Sequence, residues 1–173
     1  LRATISGHAF FPAKRIDNKM TINGARGVSH QIKDRFDLTL ECIRRFYLGE
    51  ESPLSDVLKR NGPFFQLFDD FKGYVDFFLY QDLVGSDYSS IKFWLPFLNF
   101  ENPALPQTVE EYIHYKSKVI DFLNARNQRI KSYGDKWVFD YEAAEERGER
   151  DAQSPQSRAL VARVLERIKN RER

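Results

Sequence analysis

Lys19-Met20-Thr21-Ile22-Asn23-Gly24-Ala25 is the stretch on which the fold turns. It reads as a short strand, with residues 3–12 (Ala-Thr-Ile-Ser-Gly-His-Ala-Phe-Phe-Pro) as its partner and the polar turn around Asp17-Asn18 between them. An isolated hairpin is marginal in water, so this one must join a larger sheet or lie on helices. The chain opens on Leu1 and runs straight into strand-like sequence, which leads us to expect further residues upstream.

Downstream the pattern becomes helical. From Gln31 to about Tyr47, the residues Ile32, Phe36, Leu40, Ile43 and Tyr47 recur at spacings of three and four, and Gly49 is the stop. Ser52-Pro53 opens a short helix that Asn61-Gly62-Pro63 closes. Phe64, Phe68, Phe71, Val75, Phe78 and Leu83 continue the helical period to Val84, with Gly73 expected to kink or divide the segment. Residues 85–107, with Pro96, Pro103 and Pro106, form an irregular aromatic connection containing one extended segment at Ile91–Leu95. Thr108 and Glu111 make a capping box for the longest helix, which should end near Ser132 before Gly134 and bury Tyr112, Val119, Ile120, Leu123 and Ile130. The expected architecture is therefore α+β. An N-terminal hairpin, part of a small sheet, is packed by three or four helices within residues 1–140. A charged linker follows over 141–158, then an amphipathic helix over 159–173 with the stripe Leu160, Val161, Val164, Leu165 and Ile168.

Composition narrows the class of protein. The 173 residues are 42% hydrophobic, with 15 Phe and 8 Tyr, enough for a core. Net charge is +2, unevenly spread: residues 1–50 carry nine Lys/Arg against five Asp/Glu, and 51–121 carry six against eleven. Residues 122–140 return to four against two, so folding could join two basic stretches. The single cysteine, Cys42, excludes an intramolecular disulfide framework and a Cys-based zinc cluster, and points to the cytoplasm. No apolar run approaches the roughly 20 residues of a membrane helix, and no partner membrane is expected.

No motif names a reaction. Asp34, Asp37, Glu41 and Arg44 share a helix face, where three carboxylates could take a divalent cation through oxygen ligands. The competing reading places Asp34 and Asp37 near the helix N-terminus, favoured by the dipole, and pairs Glu41 with Arg45 four residues on. No metal site is assigned, and no cofactor is indicated. Asn23 to Gly27 reads as a glycine turn ahead of a helix, the general recipe for an anion site, with Asn23 and Arg26 as ligands. His30, beside it, is the candidate general acid or base, with Asp37 and Glu41 as candidate catalytic acids. Cys42 reads as a small buried residue.

Asn124-Ala125-Arg126-Asn127-Gln128-Arg129 interrupts the apolar seam of the long helix, so Arg126 or Asn127 should point inward. A buried guanidinium must be satisfied, either by backbone carbonyls with Asp76 or Asp82, or at a polar cleft. Arg126, Asn127 and Arg129 are accordingly candidate ligand residues, and Arg26 should share a cleft with the first or second of them. The expected ligand is phosphate-bearing, a nucleotide or nucleic acid. The alternative is a non-enzymatic interaction or structural module, in which residues 159–173 dock a second copy or a protein partner.

Phe11-Pro12, the run Met20 to Gly27, the run Asp34 to Arg45, Gly73 to Leu79, Gln81 to Val84 and Ala125 to Ile130 together resemble an uncharacterised bacterial family, a domain of unknown function, over residues of about 5–131. The resemblance implies no activity. It does imply members longer at the N-terminus than this chain.

Overall fold

The computed structural model describes residues 5–101 and 105–146, with side chains as far as residue 135. Six α-helices appear among the described residues: α1 (Ile22–Val28), α2 (Phe36–Leu48), α3 (Ser55–Arg60), α4 (Gly62–Phe65), α5 (Phe71–Phe78) and α6 (Val109–Glu146). Three 3-10 turns join them, at Ile5–Gly7, Gln66–Phe68 and Gln81–Leu83. There is no strand among the described residues, only a lone antiparallel bridge between Val84 and Ile91. No described helix is long and apolar enough to cross a membrane. The chain divides into two compact units, Leu1–Arg126 and Asn127–Arg173. Most of the expected linker and all of the helix at 159–173 lie outside the described residues.

The α+β expectation is therefore wrong, and no hairpin is present among the described residues. Asp17 and Asn18 do turn the chain, both with φ near +55°, but the next segment is a helix. Thr21 caps it, its Oγ1 accepting from the Gly24 N–H at 3.2 Å. Gly24 and Gly27 are poor helix formers. Helical spacing nevertheless puts Ile22 and Arg26, four apart, on one face, and both are buried. Burial of that face outweighs the local preference. Residues 5–12 contribute a single 3-10 turn and otherwise irregular backbone.

The second helix begins later than expected. Lys33 and Asp34 both have positive φ, so the chain turns there and α2 starts at Phe36. Every residue from Asp37 to Ile43 is buried, so α2 is enclosed by the fold instead of lying on it with one apolar stripe. It packs on α3 and α5, while α3 also meets α1 and α4. Gly49 ends α2 as expected, in the left-handed conformation with φ 74°.

The helix expected over residues 64–84 is broken into four pieces, and Gly73 is not the break. The chain turns at Asp69, with φ 66°, and Asp70 caps α5 by accepting from the Gly73 N–H at 2.7 Å. Tyr74 then packs edge-on to Phe68 at 5.4 Å and against Phe78 at 4.9 Å. This tight turn leaves no room at Gly73, where a Cβ would lie 2.0 Å from the Phe68 carbonyl oxygen. Gly73→Ala should therefore destabilise the protein by about 1–3 kcal/mol through overpacking, although alanine is the better helix former. Urea midpoints of the two proteins measure this, and equal or greater stability of the variant would contradict it.

The capping box at Thr108 forms with a shift. Glu111 N–H donates to Thr108 Oγ1 at 3.1 Å, but the Glu111 carboxylate accepts from the Gln107 N–H at 2.6 Å. Gly134 does not end the helix, which continues to Glu146. Of the expected seam, Tyr112 is exposed, and over residues 109–135 of α6 the buried positions are Phe122 and Arg126.

Candidate functional site

Within the first unit a cleft of about 480 Å³ opens beside α6. One wall is the backbone of Ser6 to Ala9, another the rings of Phe36, Tyr80, Trp94 and Phe122, and a third the α6 face carrying Tyr115, Val119 and Leu123. Arg26, Asp34, Lys116 and Arg126 supply its charge. The rings form a continuous surface, with Phe36 4.7 Å from Tyr80 and Trp94 5.9 Å from Phe122.

Arg126 is 5% exposed and held from three sides. Its Nε donates to the Phe78 carbonyl at 3.1 Å, and Nη1 donates to the carbonyls of Ser6 and His8 at 2.7 and 2.8 Å. The guanidinium lies over the Tyr80 ring, 4.6 Å from its centroid. Among the described residues no carboxylate reaches it. Asp76, a candidate partner, instead accepts from Lys72, Gln81 and Tyr88. Burial draws the Arg126 pKa below the ordinary arginine value, and only the neighbouring tyrosines oppose this. An arginine remains charged nonetheless.

Arg26 is the contrasting case. It is 8% exposed, with Nε donating to Thr39 Oγ1 at 2.8 Å, Nη1 to Asn23 Oδ1 at 3.2 Å and Nη2 to the Asp34 carbonyl at 3.3 Å. The Asp34 carboxylate also pairs with it at 3.1 Å. Burial lowers the Arg26 pKa and Asp34 opposes that. Phe11 and Phe36 sit beside the guanidinium, at 5.5 and 5.8 Å. Of the two buried cations that line the cleft, Arg26 has its counterion and Arg126 has none among the described residues.

The residues picked from sequence scatter. Arg26 and Arg126 line the same cleft, as expected, and Asn23, exposed itself, supports Arg26. The Asn23–Gly27 segment is not a turn but lies within α1. Asn127 and Arg129 belong to the second unit, and Asn127 is exposed. None of the candidate acids and bases lines the cleft. His30 is exposed after α1. Asp37 is fully buried, accepting from Arg35 Nε at 3.0 Å and from the Trp94 N–H at 2.9 Å. Glu41 is buried and accepts from Arg44 at 2.7 and 3.0 Å and from Arg45 at 2.8 Å. The shared acidic face is thus internal and occupied by arginines, with Asp34 off the helix. Among the described residues there is no group of three or more metal-ligating side chains.

Sequence reasoning missed Tyr80, Trp94 and the Ser6–Ala9 backbone. Tyr80 lies off the helical period of its segment and Trp94 in a connection without one, and nothing local shows that either ring borders a cleft. Tyr80 has a further peculiarity, since its hydroxyl and that of Tyr74 are buried with no hydrogen-bond partner. Burial pushes the Tyr80 phenol up to about 12 and that of Tyr74 well above its ordinary value.

A family model described as a family of unknown function, DUF6994, matches residues 1–130. The chain belongs to that family. The span matched to DUF6994 contains every residue that lines the cleft, from Ser6 to Arg126, and agrees with the resemblance read from the sequence. No curated protein and no solved structure matches the chain.

Proposed function

We propose that the cleft beside α6 binds a small anionic molecule with a flat apolar body, and that Arg126 is its anion receptor. The observation that carries this reading is a buried guanidinium fixed by three backbone carbonyls, bordering an aromatic cleft, with no carboxylate partner among the described residues. A fixed buried charge with no counterion is costly unless something completes it, and a bound anion does so. The size suits one small ligand, and a nucleotide is within the class. A nucleic acid fits less well, because backbone phosphates are met by exposed basic side chains, and both arginines here are buried.

The test is a ligand-observed NMR screen of nucleotides, organic acids and neutral aromatics, with Val119→Trp as the cleft-filling control and circular dichroism to confirm its fold. Anionic compounds should dominate the hits, lose binding in the variant and raise the stability of the parent protein, by about 2.7 kcal/mol at a hundred times the dissociation constant. Hits that are mainly neutral, or that bind the variant equally well, would refute the reading.

A further inference from the structure

We infer that the anion taken by this cleft is a carboxylate and that the ligand is an aromatic monocarboxylic acid; this rests on the anion-binding reading above and narrows it. The argument begins with the donors that remain. An arginine binds phosphate well because two of its nitrogens present parallel N–H groups to two oxygens. In Arg126 that fork is spent, since Nε serves the Phe78 carbonyl and Nη1 serves Ser6 and His8. Nη2 alone has no partner among the described residues, and it is not among the side-chain atoms closed off from solvent. Arg26 offers no second fork, because Thr39, Asn23 and Asp34 take up its three nitrogens.

Nη2 carries two N–H groups, but they diverge, so they do not present the parallel pair that clasps a phosphate. A carboxylate suits this, since its single charge is matched by the one buried guanidinium without a carboxylate partner among the described residues, and its second oxygen can face Lys116 or water at the mouth. A phosphate monoester brings nearly two charges and three oxygens, most of which would meet aromatic rings. Asp34, whose side chain is 68% exposed on the same cleft, adds repulsion that weighs more on a dianion. Desolvation penalises the doubly charged group further. The body of the ligand follows from the walls. Phe36, Tyr80, Trp94 and Phe122 line the cleft with aromatic rings, which favour an arene over an aliphatic body of equal size. The Arg126 guanidinium, stacked on Tyr80, places the charge at the margin of that surface.

The matched probes are 2-naphthoate, 2-naphthyl phosphate, 2-naphthamide and decalin-2-carboxylate, titrated by NMR into the full chain, into Val119→Trp and into Asp34→Asn. Naphthoate should bind at least about tenfold more tightly than each of the other three, a gap of about 1.4 kcal/mol. Val119→Trp should abolish this binding, and Asp34→Asn should narrow the gap between carboxylate and phosphate. Phosphate binding as tightly as naphthoate, and sensitive to Val119→Trp, would overturn the carboxylate inference while the anion-binding reading stands. Equal binding of decalin carboxylate would overturn the aromatic part. Amide binding equal to naphthoate, or no binding that Val119→Trp removes, would overturn the anion-binding reading itself.

Discussion

Asp37→Ala should cost about 3–5 kcal/mol of stability, the range for removing one partner of a buried ion pair. Asp37 is 0% exposed and Arg35 3% exposed. The carboxylate holds Arg35 through Nε and Nη2 and also accepts the Trp94 N–H. Removing it takes the carboxylate from a buried guanidinium and the acceptor from a buried amide together. The position also links the start of α2 to the aromatic connection, so Trp94 should shift and any cleft ligand should bind more weakly. Asp37→Asn should lose less, because an amide oxygen still accepts. Replacing both partners, as in Arg35→Met with Asp37→Leu, should recover much of the loss, since the cost lies in burying a guanidinium without this carboxylate. Urea denaturation of the four proteins decides the matter, and a loss under about 1 kcal/mol for Asp37→Ala would show that the pair is not the constraint described here.

Alkaline pH should unfold the protein steeply. Burial pushes the Cys42 thiol up to about 12 and the Tyr80 phenol up to about 12, and it raises Tyr74 well above its ordinary value. In the unfolded chain these groups lose protons near their ordinary values, about 8.5 for cysteine and about 10 for tyrosine. Below about pH 8.5 both states keep the protons and stability does not depend on them. Between there and about pH 12 the folded state holds protons that the unfolded state has released, so stability falls as pH rises. These three groups alone give a slope near pH 11 of about 4 kcal/mol per pH unit, and Tyr47 and Tyr115, whose phenols burial also raises, add to it. Urea midpoints at pH 8, 10 and 11 should fall accordingly. Tyr80→Phe should make the decline shallower by about 1.4 kcal/mol per pH unit and cost little at neutral pH, because the hydroxyl it removes has no partner. A midpoint unchanged to pH 11 would mean that these groups meet water in the folded state.

Most of the features legible in the chain alone lie within one helical turn. The left-handed Gly49 stop, the Thr108 cap with Glu111, the Glu41 pair with Arg45 and the burial of Cys42 are all present, because each depends on neighbours three or four residues away, or on residue type alone. The inward turn of Arg126 was also legible, since a polar residue on an apolar seam must be satisfied. Long-range packing settled the rest. Residues 19–25 carry both strand-like and helical signals, and the burial of Ile22 with Arg26 chose the helix. The acidic face of α2 went inward with Arg35, Arg44 and Arg45 neutralising it, and although such local pairs are legible, periodicity cannot show that they are buried. The cleft itself depends on Arg126 reaching the carbonyl of Ser6, 120 residues earlier in the chain. Closing a loop of that length leaves no periodic or compositional mark, so which backbone groups the arginine binds, and which of its nitrogens stays open, is set only in the folded chain.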